Sequence, residues 1–399
     1  MYEVKTDMDV EKKILIVSDC VFYPQNEGNS RRIYNIIKLM QSLEYVIDFI
    51  YYAPEKSIYE RQMKEILGNG QFFFFRILKK KSNIFGFYSK GAYFERFALP
   101  NTADLRYLPE LDEKISMIMK KCNYHIIWLE YLYQSKILEH IDDSVIKVID
   151  THDRFAYRNY KMFPFTHKVI EYSITFSGER KALGRADYVI AIQNEEEKYF
   201  KKLLKGKKTK VMTIGDNHNI VKNEIQKSHD ICFCGSGNGL NVDALNWFIN
   251  EIFPMIVSQI KDCRLIVAGR ICEKIAVGVN KKICLLGTVE NLDTVYENCR
   301  VVVNPIRMGT GLNIKSIEAI AHCKPLVSTS VGARGLKWKK PIIAVADDES
   351  KFAEKVICLL EEDSLCEKYR NNCVKFIEEY NKNNLEAMRK VISCKKRKN

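Results

Sequence analysis

The stretch that decides the fold is residues 303–330, VNPIRMGTGLNIKSIEAIAHCKPLVSTS. It contains a short apolar run, a loop with glycines, an amphipathic helix pattern and a second apolar run. Pro305 ends the first run as a strand, because proline has no N–H to donate to a sheet. Gly309 and Gly311 let the backbone turn tightly and come close to a ligand. The stretch therefore predicts a strand, a binding loop, a helix and a second strand.

The helix that follows this loop carries two charged residues beside each other. Asn313 is a plausible N-cap, and the apolar face is formed by Ile314, Ile317 and Ala321. Lys315 and Glu318 lie about 60° apart on the helical wheel, away from that face. The free N–H groups and partial positive charge of a helix N-terminus favour an anion. The residues alone are consistent with a diphosphate held by Lys315 and Arg307 and a ribose held by Glu318, or with an ordinary helix cap beside a surface lysine.

The rest of the chain alternates strand and helix patterns. Strand-like runs in the first half are KKILIVSDC (12–20), YVIDFIYYA (45–53), HIIWLEY (125–131), VIKVIDTHD (145–153) and ADYVIAIQNEEE (186–197). Residues 215–229 are polar and lack a strong period, and the pattern restarts at DICFCGSGNG. We expect an N-terminal Rossmann-like domain over 1–215, a linker over 216–229 and a second Rossmann-like domain over 230–375. Residues 376–399 form a helix and basic tail that we expect to return to the first domain.

Composition excludes several classes of protein. A chain of 399 residues is too long for one ordinary core. It carries no secretory signal and no apolar run long enough to span a membrane, which predicts a cytoplasmic protein. The thirteen cysteines show no C-x-x-C spacing, so neither a zinc site nor a redox pair is predicted. No nucleic-acid motif and no G-x-G-x-x-G loop occur, which argues against a nucleic-acid-binding protein and a dinucleotide oxidoreductase.

Part of the net charge of +13 lies in one aromatic segment. Residues 71–97 hold eight Phe and two Tyr, with six Lys or Arg against the single acid Glu95. Aromatic rings between lysines suit an anionic membrane surface, and the same rings in a helical hairpin would suit a protein core. The first interpretation predicts peripheral attachment to the inner face of the membrane.

The second half of the chain resembles the family 4 glycosyltransferases, which have the GT-B fold. The resemblance is carried by DICFCGSGNGLNVDALNWFINEIFP, LIVAG, LLGTV, VVVNPIRMGTGLNIKSIEAIAHCKPLVSTSVGARGL and DDESKFAEKVICLL, in that order. In the first half it continues through Gly28–Asn29 after the first strand and an HD dipeptide after VID. The resemblance implies two Rossmann-like α/β domains facing across a cleft.

The resemblance also implies roles for individual residues. A nucleotide-sugar donor would be bound by Gly28, Asn29, Gly235, Ser236, Asn241, Arg307, Gly309, Thr310, Gly311, Leu312, Lys315 and Glu318. The catalytic set would be His152, Lys315 and Glu318, and the acceptor would meet Arg31, Glu130 and Asp153. His152 could instead be a strand-end histidine that caps the next helix, and Asp153 could be the cap of that helix.

Two positions depart from the family pattern. Many members carry two glutamates eight positions apart, and the position eight before Glu318 is Thr310. Many also place an Arg and a Lys after the first strand of the second domain, where this chain has GSGNGLNVDA and only Asn241 as a donor. The departures leave open which group touches the sugar.

The leading hypothesis is sugar transfer with retention at the anomeric carbon, from a nucleotide diphosphate sugar to a glycan or lipid-linked acceptor. Such a hexosyltransferase needs no metal or other cofactor, because cations of the chain stabilise the leaving diphosphate. Bacterial surface polysaccharide synthesis is the expected setting. A sugar-nucleotide 2-epimerase using Glu130 and Asp153, or a non-catalytic GT-B partner subunit, are the alternatives.

Overall fold

The computed structural model describes residues 12–25, 28–77, 104, 106–158, 173–222, 226–276, 280–309 and 312–393. It divides the chain into two compact units. The first unit is Met1–Gly215 with Asn384–Asn399, and the second is Asp216–Asn383. Each unit is built around one parallel sheet with helices on both faces.

The first unit has a seven-stranded sheet in the order β3-β2-β1-β4-β5-β6-β7. Its strands are β1 (Lys13–Ser18), β2 (Val46–Ala53), β3 (Phe72–Arg76), β4 (Tyr124–Glu130), β5 (Ile146–Asp150), β6 (Tyr188–Ala191) and β7 (Lys210–Thr213). Its helices are α1 (Gly28–Gln41), α2 (Glu60–Leu67), α3 (Pro109–Lys121), α4 (Phe176–Leu183) and α5 (Asn194–Leu203), with a 3-10 turn at Ser135–Glu139. All pairings between these strands are parallel.

The central strand β1 shows why the sheet is covered on both faces. Alternate residues point to opposite faces of a strand, and both sets here are apolar. Leu15 and Val17 lie in one buried cluster, whereas Ile14 and Ile16 lie in another. The second cluster also receives the apolar face of α1 and the end of the last helix of the chain. The sheet therefore has one layer of apolar core on each of its two faces.

The aromatic segment begins as an edge strand, which the sequence interpretation missed. Phe72–Arg76 forms β3 and pairs with β2. Phe72 packs in the cluster that contains Phe49, and Phe73 and Phe75 pack in the cluster on the other face. A run of four phenylalanines hid the alternation of a strand, because both faces of this sheet are apolar. The membrane prediction can therefore concern only residues 78–97, which lie outside the described residues.

The second unit has a six-stranded parallel sheet in the order β10-β9-β8-β11-β12-β13. Its strands are β8 (Asp230–Cys234), β9 (Arg264–Ala268), β10 (Ile283–Gly287), β11 (Val301–Asn304), β12 (Leu326–Ser328) and β13 (Ile343–Val345). Its helices are α6 (Gly239–Trp247), α7 (Phe253–Gln259), α8 (Asp293–Glu297), α9 (Ile314–Ala321), α10 (Glu349–Glu361) and α11 (Asp363–Ile392), with a π turn at Phe248–Ile252 and a 3-10 turn at Arg270–Glu273.

One helix start is fixed by a side-chain cap, and the bounds of the last helix differ from the sequence prediction. Helix α6 begins at Gly239, because the Asn238 side chain accepts the Asn241 backbone N–H at 2.9 Å and caps it. The last helix runs without a break from Asp363 to Ile392, so its first part belongs to the second unit and its end to the first. No helix in the described part of the chain is long and apolar enough to cross a membrane.

Candidate functional site

In each sheet the strand order reverses direction at one position, and polar residues lie at the carboxyl ends of the strands there. In the second sheet, β8 pairs with β9 on one side and β11 on the other. In open α/β sheets the crevice beyond the carboxyl ends of such strands is where ligands bind. The loops that follow β8 and β11 therefore form the candidate donor site of the second unit.

Glycines bring the backbone at this site unusually close together. Gly269 has φ +100°, and a Cβ there would lie 2.3 Å from the backbone oxygen of Gly235. A Cβ on Gly235 would in turn lie 2.9 Å from the Phe233 ring. The Gly235 N–H donates to the Ala268 oxygen at 3.0 Å. The turns after β8 and β9 therefore lie in close contact, and glycine is needed at position 269 for this approach.

One polar chain connects the turn after β8 with helix α9. The Asn241 side-chain N–H₂ donates to the Ser236 oxygen at 2.9 Å and to its Oγ at 3.1 Å. The orientation of the amide is thereby fixed, and its Oδ1 accepts from the Lys315 Nζ at 2.5 Å. The same Nζ lies 4.6 Å from the centre of the Phe233 ring. Lys315 is therefore held by an amide and an aromatic face, with no carboxylate among these contacts.

This environment changes the charge of Lys315. Burial away from water lowers the pKa of Lys315 from 10.5 to about 7. A lysine with this pKa is close to half protonated at neutral pH. An anion that binds beside it would raise this pKa and favour the protonated form. The sequence located this residue, and the tertiary structure alone shows its lowered pKa.

Buried polar groups at the end of β11 and in the loop at Gly332 hold helix α9 in place. Asn313 occupies the N-cap position, but its side chain makes no capping hydrogen bond. Asn304, at the end of β11, donates to the Ser316 Oγ at 2.7 Å, and that hydroxyl donates to the Gly332 oxygen at 2.8 Å. Glu318 is 7% exposed and accepts the Tyr296 O–H at 3.3 Å. The N-terminus of α9 is thus fixed to the sheet rather than by its own cap.

The glycine loop after β11 has contacts that the sequence did not indicate. Gly309 has φ +145°, and its oxygen accepts from Arg334 at 2.5 Å. Arg307 pairs with Asp243 at 2.8 Å and lies over the Trp247 ring, 5.0 Å from its centre. Leu312 is half-buried against the apolar cluster beneath α9. Thr310 and Gly311 lie outside the described residues. The structure therefore places Arg307 beside α6 and adds Arg334 as the residue that holds the loop.

The equivalent place in the first sheet is the carboxyl end of β1 and β4, and it holds a buried cluster. Glu130 ends β4, and its Oε1 accepts the Trp128 ring N–H at 3.0 Å. The other oxygen, Oε2, lies 2.5 Å from the Nε2 of His152. The His152 ring stacks on Tyr131 with 4.2 Å between ring centres. Both His152 and Tyr131 have positive φ, +55° and +64°, a strained conformation that is concentrated at functional sites.

An arginine balances the negative charge of this cluster. Arg32 donates to Oδ1 of Asp150 from Nε at 3.1 Å and from its terminal nitrogen at 2.8 Å, and to the Ile214 oxygen at 3.0 Å. Burial raises the pKa of Glu130 to about 8 and lowers that of His152 to about 4. Burial also raises the pKa of Asp19, which follows β1. At pH 7 Glu130 and His152 are therefore a neutral pair beside the Arg32–Asp150 ion pair.

The remaining predicted residues of the first unit fall into different environments. Gly28 is the exposed first residue of α1 rather than part of a loop, and Asn29 donates to the Cys20 sulfur at 3.2 Å. Arg31 is half-buried on α1. Asp153 accepts the Arg154 N–H at 2.7 Å and pairs with Arg158 at 3.0 Å. Their roles in binding a donor or acceptor stay predictions.

Glu130 and His152 contact each other, which the sequence analysis did not predict. Glu130 is 2% exposed and both its oxygens are engaged, and its role as an acceptor ligand stays a prediction. The His152 ring contacts Glu130 and Tyr131 rather than the end of a helix. Tertiary folding brings β4 and β5 together, which sequence spacing did not reveal.

Glu130, Asp150 and His152 also offer ligand atoms within 4.8 Å of one another, a spacing that a cation could use. Arg32 already supplies positive charge to Asp150, and Nε2 of His152 already meets Glu130. We therefore assign no metal to this cluster.

Sequence reasoning missed several residues of both clusters. They are Asp19, Arg32, Tyr131 and Asp150 in the first unit and Phe233, Tyr296, Asn304 and Arg334 in the second. Asp150 had a usable signal, since it ends a predicted strand as Glu130 does. The two aromatic residues of the second unit carried none, because their contacts depend on strands and helices far apart in the chain.

Comparisons with known proteins find similar sequences and similar folds. Residues 228–362 match the family model described as group 1 glycosyl transferases. A curated relative is an uncharacterized 44.6 kDa protein of the cps region of Klebsiella pneumoniae, 26% identical over 150 residues. That match covers 35% of this chain and spans 39% of the length of the relative.

Solved structures cover nearly the whole chain. HepE of Anabaena, solved with UDP and glucose, has a TM-score of 0.63 and 12% identity over 96% of this chain and 100% of its own. The pneumococcal O-GlcNAc transferase GtfA, with UDP and GlcNAc, has a TM-score of 0.66 and 10% identity over 96% and 99%. TarM of S. aureus, with Fondaparinux, alpha-GlcNAc-glycerol and UDP, has a TM-score of 0.65 and 11% identity over 96% and 100%.

These likenesses confirm the predicted fold class of two parallel-sheet Rossmann-like domains. The match to the family model supports a glycosyltransferase, whereas membership of family 4 and a retaining mechanism stay predictions. The chain therefore has the GT-B fold, and its residues 228–362 match the group 1 glycosyl transferases.

Proposed function

We propose that this protein is a retaining glycosyltransferase that moves a sugar from a nucleotide diphosphate sugar to a glycan or lipid-linked acceptor. The observation that carries the proposal is the position of Lys315. Its ammonium group lies on the first turn of α9, next to the turn after β8, with an amide and an aromatic ring as its contacts. No carboxylate is among these described contacts, which leaves Nζ able to pair with the phosphates of a donor.

The chemistry follows from that arrangement. Sugar transfer breaks the bond between the anomeric carbon and the leaving phosphate oxygen, and a bond from the anomeric carbon to an acceptor hydroxyl forms. Negative charge develops on the diphosphate as the first bond breaks. Lys315 and the free N–H groups of α9 would stabilise that charge, and the proton of the hydroxyl would leave with the diphosphate. On this proposal the chain needs neither a metal nor a protein base.

Two further residues have proposed roles in binding the sugar and the acceptor. Glu318 is proposed to meet the ribose of the donor, and His152 the transferred sugar or the acceptor. Each of the three solved structures above contains UDP, which makes a uridine nucleotide the first candidate. The relative from a cps region favours a role in bacterial surface polysaccharide synthesis. Contact with an anionic membrane through residues 78–97 and a place on the cytoplasmic face remain part of the proposal.

Calorimetric binding of UDP, GDP, dTDP and ADP to the full chain tests the proposal. We expect one nucleotide to bind and Lys315→Ala to weaken it by roughly 10- to 150-fold, the effect of losing one charge-assisted contact of about 1.5–3 kcal/mol. Lys351→Ala is the matched control, since this lysine lies in the same unit with a side chain that is 71% exposed. It should leave the affinity unchanged.

Three outcomes would count against the proposal. If no nucleotide binds, the loop and helix are a structural element. If Lys315→Ala and Lys351→Ala weaken binding equally, Lys315 is not the diphosphate ligand. If a nucleotide binds but no sugar is transferred or hydrolysed from the matching nucleotide sugars, the chain is a binding subunit rather than a transferase.

A further inference from the structure

Two asparagine side chains beside the turn after β8 have amides whose orientation is fixed by the backbone. The Oδ1 of Asn238 accepts the backbone N–H of Asn241 at 2.9 Å, so its nitrogen lies on the other side of the amide. The Nδ2 of Asn241 donates to the backbone oxygen of Ser236 at 2.9 Å. A backbone N–H only donates and a backbone oxygen only accepts, so exchanging oxygen and nitrogen in either amide would set like groups against each other. The positions of the amide oxygens and nitrogens are therefore settled.

The Ser236 hydroxyl lies between these two amides. Its Oγ is 3.1 Å from the Nδ2 of Asn238 and 3.1 Å from the Nδ2 of Asn241. An amide nitrogen donates, and a hydroxyl oxygen has two lone pairs and one hydrogen. Oγ thus accepts from both amides, and its own hydrogen must point away from them. Ser236 is half-buried, and none of the described residues accepts a hydrogen bond from it, so this hydrogen can be donated to a ligand.

The other end of the Asn241 amide faces the lysine of helix α9. Its Oδ1 lies 2.5 Å from the Nζ of Lys315, and the Phe233 ring lies 4.6 Å from the same atom. These contacts hold the end of a long, flexible side chain in one place before any ligand binds. Asn241 is 6% exposed, and its backbone N–H and its amide N–H₂ are both engaged within the turn. The Asn241 atom beside Lys315 is an oxygen, which cannot donate to a phosphate.

We propose that Asn241 is a positioning residue and not a ligand of the anion. One end of its amide leaves the Ser236 hydroxyl as a donor, and the other end holds the ammonium group of Lys315. The site then offers an anion one neutral donor and one cation, both oriented by the same amide. This role differs from the direct donor binding that the family resemblance implies for Asn241. The identity of the anion as the diphosphate of a donor rests on the proposed function, whereas the contacts of Asn241 do not.

The expected size of each effect follows from what each substitution removes. Ser236→Ala deletes one neutral hydrogen bond to the ligand and should weaken nucleotide binding by about 2- to 12-fold. Asn241→Ala removes no contact with the ligand. It frees the side chains of Ser236 and Lys315, which must then be ordered when the nucleotide binds. Ordering one flexible side chain weakens binding by about 2- to 12-fold.

Calorimetry on the full chain, with the nucleotide that binds wild type, tests whether Asn241 acts through its two neighbours. Asn241→Ala is measured in wild type, in Ser236→Ala and in Lys315→Ala. We expect a smaller loss of affinity in each of the two mutant backgrounds than in wild type, because one of the groups that Asn241 positions is already absent. Asn372→Ala is the matched control, since this amide donates to the Pro341 oxygen at 2.9 Å in the same unit. It should leave the affinity unchanged.

NMR of the free protein supplies a readout that needs no nucleotide. With lysines labelled at Cε, and Lys315 assigned by Lys315→Arg, the two Hε protons of Lys315 should have distinct shifts in wild type and converge in Asn241→Ala. Asn241→Asp keeps the shape and an oxygen beside Nζ. It should raise the pH at which the Lys315 signals titrate, because a carboxylate favours the ammonium form. The Cys234 thiol also acts on the pKa of Lys315, and it is present in every one of these variants.

Three results would overturn the inference. Equal losses from Asn241→Ala in all three backgrounds would show that Asn241 binds the nucleotide itself or only supports the turn. Lys315 signals that are the same in wild type and Asn241→Ala, or an unchanged titration in Asn241→Asp, would show that the amide does not position Nζ. Each of these results leaves nucleotide binding by wild type intact. If wild type binds no nucleotide, the proposed function fails, and the NMR readout still decides whether Asn241 positions Lys315.

Discussion

In each sheet the candidate site lies at the carboxyl ends of the strands where the strand order reverses. The two sites differ in how their charged side chains are paired. At the end of β4 and β5, Arg32 meets Asp150 and Glu130 meets His152, so each group has a partner within the unit. At the end of β8 and β11, Lys315 meets only an amide and an aromatic face among its described contacts. The first cluster pairs opposite charges within the unit, whereas no described carboxylate contacts Lys315.

This difference separates the roles of the two sites. A pre-paired cluster holds side chains in fixed positions and adds no net attraction for a charged ligand. A buried lysine without a carboxylate partner lowers the free energy of unfolding. An anion that binds beside it in the folded state raises that free energy again. The second site is therefore the one suited to bind a diphosphate, and the first is suited to orient a neutral group.

The largest expected effect is on the free energy of unfolding, and it tests whether the two sites differ in how their charges are paired. Arg32→Met leaves the buried Asp150 without its partner and should lower the unfolding free energy of the first unit by roughly 3–5 kcal/mol. Lys315→Met should leave the second unit at least as stable, because the folded state disfavours a charged lysine there. Urea unfolding followed by hydrogen exchange and mass spectrometry resolves the two units. Equal losses in both would contradict the comparison.

The next effect concerns pH. The pKa of Lys315 is about 7 in the free protein and must rise when a diphosphate binds, so binding takes up a proton above pH 7. Nucleotide affinity should therefore fall as pH rises, approaching about tenfold per unit above pH 7. Calorimetry in buffers of different ionisation enthalpy measures the uptake directly. Lys315→Arg keeps its charge throughout and should bind without this dependence; a flat wild-type profile would show that Lys315 is already protonated.

The smallest expected effect concerns Arg307. Its side chain is 42% exposed and pairs with Asp243, so Arg307→Ala should weaken nucleotide binding by less than about threefold. Asp243→Asn releases the guanidinium and should leave binding unchanged or slightly tighter. Calorimetry with the nucleotide that binds wild type measures both. A loss above tenfold for Arg307→Ala would mean that Arg307 exchanges Asp243 for the phosphates, as the sequence alone predicted.

Much of the fold was predictable from periodicity. The strand at β1 was evident, because buried parallel strands read as continuous apolar runs. The edge strand β3 was not, since four consecutive phenylalanines show no alternation. The length of α11 was missed because its polar middle hides the helical repeat.

The residues of the candidate sites were predictable where they are neighbours in sequence and were missed where they are far apart. Lys315 and Glu318 were found because a glycine loop, a helix start and two charges are neighbours in sequence. Arg32 and Asp150 were not, since they are 118 positions apart and meet only when α1 packs beside β5. Sequence spacing reports contacts along one element, and it is silent about contacts between elements.

The sequence by itself determined the two parallel α/β units, the glycine turns and the presence of a lysine at the start of α9. The tertiary structure decided the charge on that lysine and the pairing of Glu130 with His152. The physical reason is that protonation depends on burial and on neighbours from other strands, which only the assembled sheet brings together.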